Sequence, residues 1–221
     1  VASSVTVAGS KVTVTYKTTT GNADALSVAN GTAAVTAATF DTSADASKFT
    51  GSTKMASVNS TGDVVFSNMV STQSGTVAGN TAITNGNTTF GHKATATSAA
   101  IAIEDGTTAG NITLTGAGIT SAAITSTGEK NTVGAIDLAA AKTVTLDAST
   151  NLTATSIATT ATLGTLTISG AGAVSIGTLD AGLDTVNASG NSGGLTALIG
   201  TETDTILTGS SGSDTITAST T

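Results

Sequence analysis

The residues best suited to chemistry lie in a glycine-rich stretch near the C-terminal end of the sequence. Gly209, Gly212 and Asp214 occur within six residues, just before the apolar Ile216. Glycines let a turn bring backbone carbonyls close together, and Asp adds a carboxylate oxygen. Ca²⁺ takes about six to eight such oxygen ligands at roughly 2.3–2.6 Å. The stretch therefore predicts half of a calcium site at Asp214, whose other half is expected beyond Thr221.

A less complete copy of this pattern, containing Gly200 and Asp204, comes one turn earlier. Asp184 lies at the equivalent place of the preceding repeat, so the carboxylates of Asp184 and Asp204 are expected on neighbouring strands about 4.7–4.9 Å apart. Two carboxylates at that distance repel each other unless water or a cation separates them. The sequence therefore predicts a calcium site here, with the alternative that these residues only cap exposed turns. For Asp147 and Asp180, turn capping is the favoured interpretation.

The sequence contains no residue set that is typical of an enzyme. His92 is the single histidine and there is no cysteine, which argues against a catalytic triad or a zinc site. The acidic pair Glu104–Asp105 lies in a predicted turn and is interpreted as a solvated connection. A β-helix enzyme that cuts acidic sugars would need basic residues along a groove, but arginine is absent and the repetitive part has only Lys130 and Lys142. We therefore predict that the protein is not an enzyme.

The elements that position these residues follow from an internal repeat of about twenty residues. A short phrase rich in Thr and aliphatic residues recurs at starts that are 22, 20 and 20 residues apart, namely Thr143–Asp147, Thr165–Ser169, Thr185–Ser189 and Thr205–Gly209. Such a period is typical of stacked repeats. It predicts an all-β fold with a C-terminal parallel β-solenoid, of the β-helix or β-roll kind, in which each rung has two strands.

Alternation along each strand predicts which side chains form the core, because successive side chains point to opposite faces. The residues expected to face inward are Val144, Leu146, Leu166, Ile168, Val186 and Ala188. Those expected to face outward are Thr143, Thr145, Thr165, Thr167, Thr185 and Asn187. A second strand column is predicted at Ile136, Ile157, Ile176, Leu198 and Ile216.

A change of composition near residues 93–105 predicts two regions. All five aromatic residues and both methionines precede this point. Residues 1–100 are predicted to form a β-sandwich-like or irregular β region, with a hairpin that turns at Ala8–Ser10. Residues 101–221 are predicted to form the solenoid, which leads into the calcium-binding end.

Composition also restricts the partners. The formal net charge is −7 and arginine is absent, so nucleic acid is not expected as a partner, whereas cations are. No apolar stretch approaches the roughly 20 residues that span a bilayer. The sequence begins with Val1 and shows no signal peptide, so it is expected to be a processed protein or a part of a longer one.

The regular Thr columns allow one further interpretation. Thr113–Thr115, Thr143–Thr145 and Thr165–Thr167 share the Thr-x-Thr pattern of some ice-binding solenoids. The alternative is that Thr is simply a good strand residue for an outward face, which is favoured because Asn187 and Leu207 interrupt the pattern.

The stretch from Gly209 to Ile216 resembles the calcium-binding nonapeptide of RTX proteins, Gly-Gly-x-Gly-x-Asp-x-apolar-x, with Ser210 in place of the second glycine. The segment from Leu183 to Thr196 is similar to one that often precedes the nonapeptides in bacterial S-layer proteins and adhesins of this type. The resemblance implies type I secretion, calcium-dependent folding outside the cell, and assembly into a lattice or filament. Only one and a half nonapeptides are present, so a full calcium β-roll is not encoded in these residues, although one could follow them.

Together these features predict a structural protein of the bacterial cell surface, an S-layer or extracellular filament subunit that associates with itself and responds to Ca²⁺. Exposed edges of the end rungs would pair with another copy. The alternative is an adhesin module that binds a cell-surface glycan or protein through loops around Tyr16 or Phe66.

Overall fold

The structure is a computed structural model that describes residues 2–8, 11–16, 42–49, 51–79, 82–138, 140–159, 164–179, 182–199 and 205–218. Within these ranges it is nearly all β, and its single helical element is a 3-10 turn at Ala46–Lys48. None of the helical structure in these ranges has the length and hydropathy of a membrane-spanning helix.

The strands in chain order are β1 (Ala2–Ala8), β2 (Lys11–Tyr16), β3 (Thr42–Asp45), β4 (Lys54–Val58), β5 (Val64–Met69), β6 (Ser74–Ala78), β7 (Thr84–Asn85), β8 (Thr88–His92), β9 (Ser98–Glu104), β10 (Thr108–Ala109), β11 (Ile112–Thr115), β12 (Ser121–Thr127), β13 (Asn131–Asp137), β14 (Thr143–Ala148), β15 (Leu152–Ala158), β16 (Gly164–Gly170), β17 (Val174–Leu179), β18 (Leu183–Asn191), β19 (Leu195–Ile199), β20 (Ile206–Thr208) and β21 (Thr215–Ala218).

Two parallel sheets form the body of the protein. Sheet 1 runs in the order β3-β5-β8-β11-β13-β15-β17-β19-β21, with the short strands β7 and β10 beside it, and sheet 2 runs in the order β4-β6-β9-β12-β14-β16-β18-β20. The chain thus crosses from one sheet to the other within every rung, and the predicted two-strand β-solenoid is confirmed. Separately, β1 and β2 pair as an antiparallel hairpin, as predicted.

The core lies between the two sheets and is made of aliphatic side chains. All six residues predicted to face inward are fully buried, from Val144 to Ala188. The predicted outward residues are exposed or half-buried. Burying one Val, Leu or Ile side chain contributes roughly 1.5–3 kcal/mol, so each rung is stabilised mainly by contacts with the rungs above and below it.

The second strand column differs from the prediction at Ile176 and at Leu198, which is half-buried and pairs with Thr217, whereas Ile216 pairs with Ala197. Ile136 pairs with Ile157 and Ile157 with Leu179, whereas Ile176 pairs with Ala154 and Ala197. The reason is a bend within the sheet 1 strands, where two successive residues such as Gly134 and Ala135 both lie off the buried face. The alternation of inward and outward side chains therefore fails at the bend. The buried residues before the bend, such as Ile176, and those after it, such as Ile157, form two separate columns.

The solenoid begins much earlier than residue 101. Parallel pairing starts at Thr42, which pairs with Val64, and Lys54 pairs with Ser74 in the other sheet. Residues 42–100 are thus solenoid rather than the predicted β-sandwich-like region. Their aromatic residues belong to the solenoid core, because the fully buried Phe90 ring stacks on Phe66 at a centroid distance of 5.6 Å.

The rungs shorten toward the C-terminal end, as predicted. In sheet 1, Ile112 pairs with Ile136, 24 residues later. Near the end of the same sheet, Thr196 pairs with Thr215, which is only 19 residues later. The last rung of sheet 2 is shifted by one residue from the predicted repeat, since Ile206 rather than Thr205 pairs with Thr185.

Candidate functional site

The predicted calcium turn connects β20 to β21, and Asp214 organises it. One carboxylate oxygen of Asp214, Oδ2, accepts a hydrogen bond from the Ser210 N–H at 2.9 Å. The other, Oδ1, accepts one from the Leu195 N–H of the preceding rung at 2.8 Å and one from the Ser210 hydroxyl. The Ser210 hydroxyl, followed by the Leu195 N–H, lowers the pKa of the Asp214 carboxyl. These hydrogen bonds are those of a residue that caps a turn, and turn capping is the alternative to calcium binding that the sequence pattern allows.

The two glycines of this turn lie in close contact with neighbouring atoms, a side-chain end at Gly209 and backbone at Gly212. A Cβ atom on Gly209 would collide with the Asp214 carboxylate. A Cβ atom on Gly212 would lie 2.6 Å from the Ser192 carbonyl oxygen of the rung below. The Gly-x-x-Gly spacing is therefore explained by the way in which the turn lies on its neighbour.

The other predicted calcium ligands are only partly described. Asp184 is the second residue of β18 and is half-buried. Its predicted partner Asp204, together with Gly200, lies outside the described residues, as does Asp180. Within the described ranges, no three acidic or histidine side chains are grouped in a way that could hold a metal ion. The calcium prediction therefore rests on the sequence pattern.

The remaining acidic candidates have structural surroundings. Glu104 forms an ion pair with Lys54, with Nζ and Oε2 3.1 Å apart, and so joins β9 to β4 across β6. Asp105 is exposed and adopts a positive φ of 64° in the turn after β9. Asp147 lies exposed near the end of β14.

Comparison with protein-family models, curated proteins and solved structures gives no match.

A 24-residue repeat at one corner of the solenoid was not found by the sequence reasoning. A glycine followed by Asp or Asn recurs at Gly62–Asp63, Gly86–Asn87 and Gly110–Asn111. The side-chain oxygen of each Asp or Asn accepts a hydrogen bond from a backbone N–H of the next rung. The Asn87 N–H donates to Asp63 Oδ1 at 2.9 Å, and the Asn111 N–H donates to Asn87 Oδ1 at 2.8 Å. The Asn111 side chain continues the ladder to Ala135, at 2.9 Å. The even spacing of Gly-Asp and Gly-Asn pairs is the signal that could have revealed these rungs.

Buried amide side chains hold other turns together. The Asn131 side chain is fully buried and accepts the Thr107 N–H at 2.8 Å. Its Nδ2 lies within hydrogen-bond distance of the Ser126 hydroxyl and of the carbonyls of Ile103 and Thr127. Gln73 and Asn191 bind backbone groups of their turns in a similar way. Such saturated amides fix the chain path because each lost bond would leave a buried polar group unpaired.

The Thr-x-Thr segments do not share one face. Thr143 and Thr145 of β14 continue into Thr165 and Thr167 of β16 on sheet 2. Thr113–Thr115 belongs to β11 in sheet 1, on the opposite side of the solenoid. On the outer face of sheet 2, small residues line a shallow groove, namely Ser71, Ser98, Ala99, Ala100, Ser121, Ala122, Ala123, Thr143 and Thr145. The face offers hydroxyl and methyl groups but no charged or nucleophilic cluster.

The C-terminal rung exposes apolar side chains and strand backbone. Ile206 is 68% exposed and Ile216 is 37% exposed. In the described part of the chain, β20 pairs only with β18, and β21 pairs only with β19. The last described strands thus combine one unpaired edge each, within the described residues, with exposed isoleucine, and an edge of this kind can accept a further strand.

Of the two aromatic residues predicted for adhesion, Phe66 is half-buried and its ring stacks on Phe90. Tyr16 ends β2, and its side chain lies outside the described structure.

Proposed function

We propose that this protein is a structural subunit of the bacterial cell surface that assembles with copies of itself into a lattice or filament. The observation that supports this proposal most directly is the stacked solenoid itself, in which the last described strands, β20 and β21, each pair with one neighbour within the described residues, and Ile206 is exposed. A second copy could continue both sheets by adding its own strands beyond β20 and β21. Each new rung would gain the backbone hydrogen bonds and aliphatic contacts that hold the rungs within one chain.

The rest of the described surface is consistent with a structural role. Apart from the two isoleucines at the end, the large apolar side chains exposed in the described ranges are Val65 and Val70. The flanks carry rows of Thr and Ser, such as the outer face of β14 and β16. Two of these four exposed apolar side chains, including the most exposed one, Ile206, thus lie on the last described strands.

Calcium has a proposed supporting role in this assembly. The net charge of −7 makes copies of the chain repel one another. Ca²⁺ bound at Asp184 with Asp204, and at Asp214, would reduce that repulsion near the end rung. The supporting observation is the sequence pattern of these turns, together with the sheet position of Asp184 in the strand next to β20.

The first prediction tests the end rung. The double substitution Ile206→Lys with Ile216→Lys should abolish ordered assembly, because a Lys on an open edge blocks strand pairing. We expect the concentration needed for assembly to rise by about tenfold or more, which corresponds to roughly 1.4 kcal/mol. Negative-stain electron microscopy and sedimentation velocity provide the measurement.

Val65→Lys is the matched control, because Val65 is similarly exposed, at 39%, but lies on β5 away from the end. This variant should assemble like the unmodified chain. Monodisperse monomers of the unmodified chain at high concentration, or unchanged assembly of the double variant, would contradict the proposal.

The second prediction concerns calcium. When free Ca²⁺ is about 100-fold above its Kd, binding stabilises the folded state by roughly 2.7 kcal/mol. Adding Ca²⁺ should therefore raise the melting temperature by several degrees, and excess EGTA should reverse the change and loosen the assembly. Asp184→Asn and Asp214→Asn should each reduce this calcium-dependent shift.

Asp147→Asn is the control, since it removes the same charge from a turn with no predicted calcium role. The comparison uses the calcium-dependent shift of each variant, because Asp214→Asn also weakens the cap on Leu195 and so lowers stability without calcium. An unchanged melting temperature and particle size in excess EGTA would exclude the calcium role but leave the assembly test intact.

A further inference from the structure

His92 is a buried ionisable residue for which the proposed assembly has no use. It ends β8, on the inward side of sheet 1 next to Met69, and is only 8% exposed. A Cβ atom on Gly116 of the next rung would lie 3.0 Å from the His92 Cβ, so the two rungs are in close contact here. Within the described residues, neither Nδ1 nor Nε2 of the imidazole has a hydrogen-bond partner.

The surroundings of His92 disfavour a charged imidazole. Burial is the main cause that lowers the pKa of His92. The backbone carbonyls of Phe90 and Gln73 act in the opposite direction, but they are not in hydrogen-bonding geometry and do not offset the lost hydration. Burial without a hydrogen-bond partner therefore favours the neutral imidazole over the charged form in the folded rung.

No charged group is placed to stabilise the protonated ring. The segments in contact with it, β5, residues 70–73 and residues 116–119, contain no Asp, Glu or Lys. Lys93, the next residue along the chain, is exposed, and its positive charge would repel a protonated imidazole rather than stabilise it. Asp45 and Lys48 flank the 3-10 turn that Gln73 contacts, and the Asp45 carboxylate already binds Ser47 and Asn68.

We propose that His92 is an acid-sensitive switch in the solenoid, whose protonation opens the rungs from Thr42 to His92 while the rungs after β13 stay folded. Local opening is expected because each rung of a solenoid contacts only its neighbours, so the stability of the array is a sum of local terms. This inference is independent of the proposed assembly, since it concerns rungs far from β20 and β21.

The direction of the pH effect follows from the sign of the shift. The pKa of His92 in the folded protein lies below the ordinary value of about 6.5 for an exposed histidine. The rungs therefore have their full stability above about pH 6.5 and lose it as the pH falls toward the lowered pKa. At a pH below both pKa values, each pKa unit by which folded His92 lies below opened His92 multiplies the equilibrium constant for opening the rung by about ten.

The unmodified chain provides the first test, because His92 is the single histidine of the sequence. The imidazole proton resonances in a pH-dependent NMR spectrum report its pKa without any substitution. We expect a midpoint below 6.5, accompanied by opening of the rung. A midpoint at or above 6.5 in the folded protein would overturn the proposal.

Hydrogen–deuterium exchange locates the opening. Between pH 7 and pH 5, after correction for the intrinsic exchange rates, amides of residues 42–92 should exchange faster, by the factor that the His92 midpoint in the NMR titration sets, and those of residues 143–199 should not change. His92→Phe should remove this response, whereas Lys93→Gln, a neighbouring control, should retain it. Equal responses of His92→Phe and the unmodified chain, or uniform opening of all rungs, would refute a switch at His92.

Discussion

Replacing Phe90 by Ala is expected to lower the free energy of unfolding by about 3–5 kcal/mol, the usual range for removing a fully buried aromatic side chain. Phe90 is fully buried in the core, where its ring stacks on Phe66 from the preceding rung. It also crosses to sheet 2, where its ring lies directly against the Gly75 backbone. Chemical unfolding followed by circular dichroism measures the loss.

The fit between Phe90 and Gly75 can be tested from both sides. A Cβ atom at Gly75 would lie 2.6 Å from the Phe90 ring, so Gly75→Ala should overpack the core and cost about 1–3 kcal/mol. Adding Phe90→Leu should relieve part of this clash, and the pair should be non-additive by about 0.5–3 kcal/mol. Gly190→Ala is the control, because the nearest atom to its added Cβ lies at an ordinary 3.4 Å. Additive effects of Gly75→Ala and Phe90→Leu would show that the two residues do not share one packing constraint.

Phe90 and Gly75 also explain why the repeat pattern predicts only the C-terminal part of the solenoid. In the C-terminal rungs, Val144, Leu166 and Val186 recur at nearly constant spacing, each preceded by Thr, and that pattern predicts a strand column directly. In the N-terminal rungs the core is filled by one large ring opposite a glycine, so equivalent positions do not look alike. The composition changes near residues 93–105 although the fold does not, so composition alone predicts a domain boundary that the structure lacks.

The bend at Gly134 limited the sequence reasoning in a different way. Alternation predicts the inward face only while the strand stays regular, and two successive residues near Gly134 lie off the buried face. The Gly-Asx ladder through Asn87 and Asn111 marks the same corner in earlier rungs. A search for a period of 24 residues, in addition to 20, would have joined these rungs to the repeat.

The candidate calcium turn was predictable in its residues but not in its bonding. The pattern of Gly209, Gly212 and Asp214 identifies a tight turn with one carboxylate. The partner of that carboxylate, the Leu195 N–H, belongs to another rung and depends on which strand lies beneath the turn. Sequence spacing alone does not determine that register, because the last rung of sheet 2 is displaced by one residue.

Replacing Asn131 by Leu should destabilise the protein by about 3 kcal/mol or more. The Asn131 amide is the shared partner of the Thr107 N–H, the Ser126 hydroxyl and the Ile103 and Thr127 carbonyls. Leu has the same number and branching of side-chain heavy atoms but no polar atoms, so these buried groups would lose their partner without room for water. Each unpaired group costs about 1–3 kcal/mol.

Two variants separate this polar effect from a simple loss of volume. Asn131→Ala leaves space in which a water molecule can replace part of the amide, so it should cost less than Asn131→Leu. Asn151→Ala removes an exposed amide whose oxygen accepts one bond, from the Ala173 N–H at 2.9 Å, and should cost only about 0.5–1.5 kcal/mol. If the loss of unfolding free energy is largest for Asn131→Leu, smaller for Asn131→Ala and smallest for Asn151→Ala, buried amides hold the corners of this solenoid. An Asn131→Leu variant as stable as the unmodified chain would show instead that apolar packing alone fixes the turn.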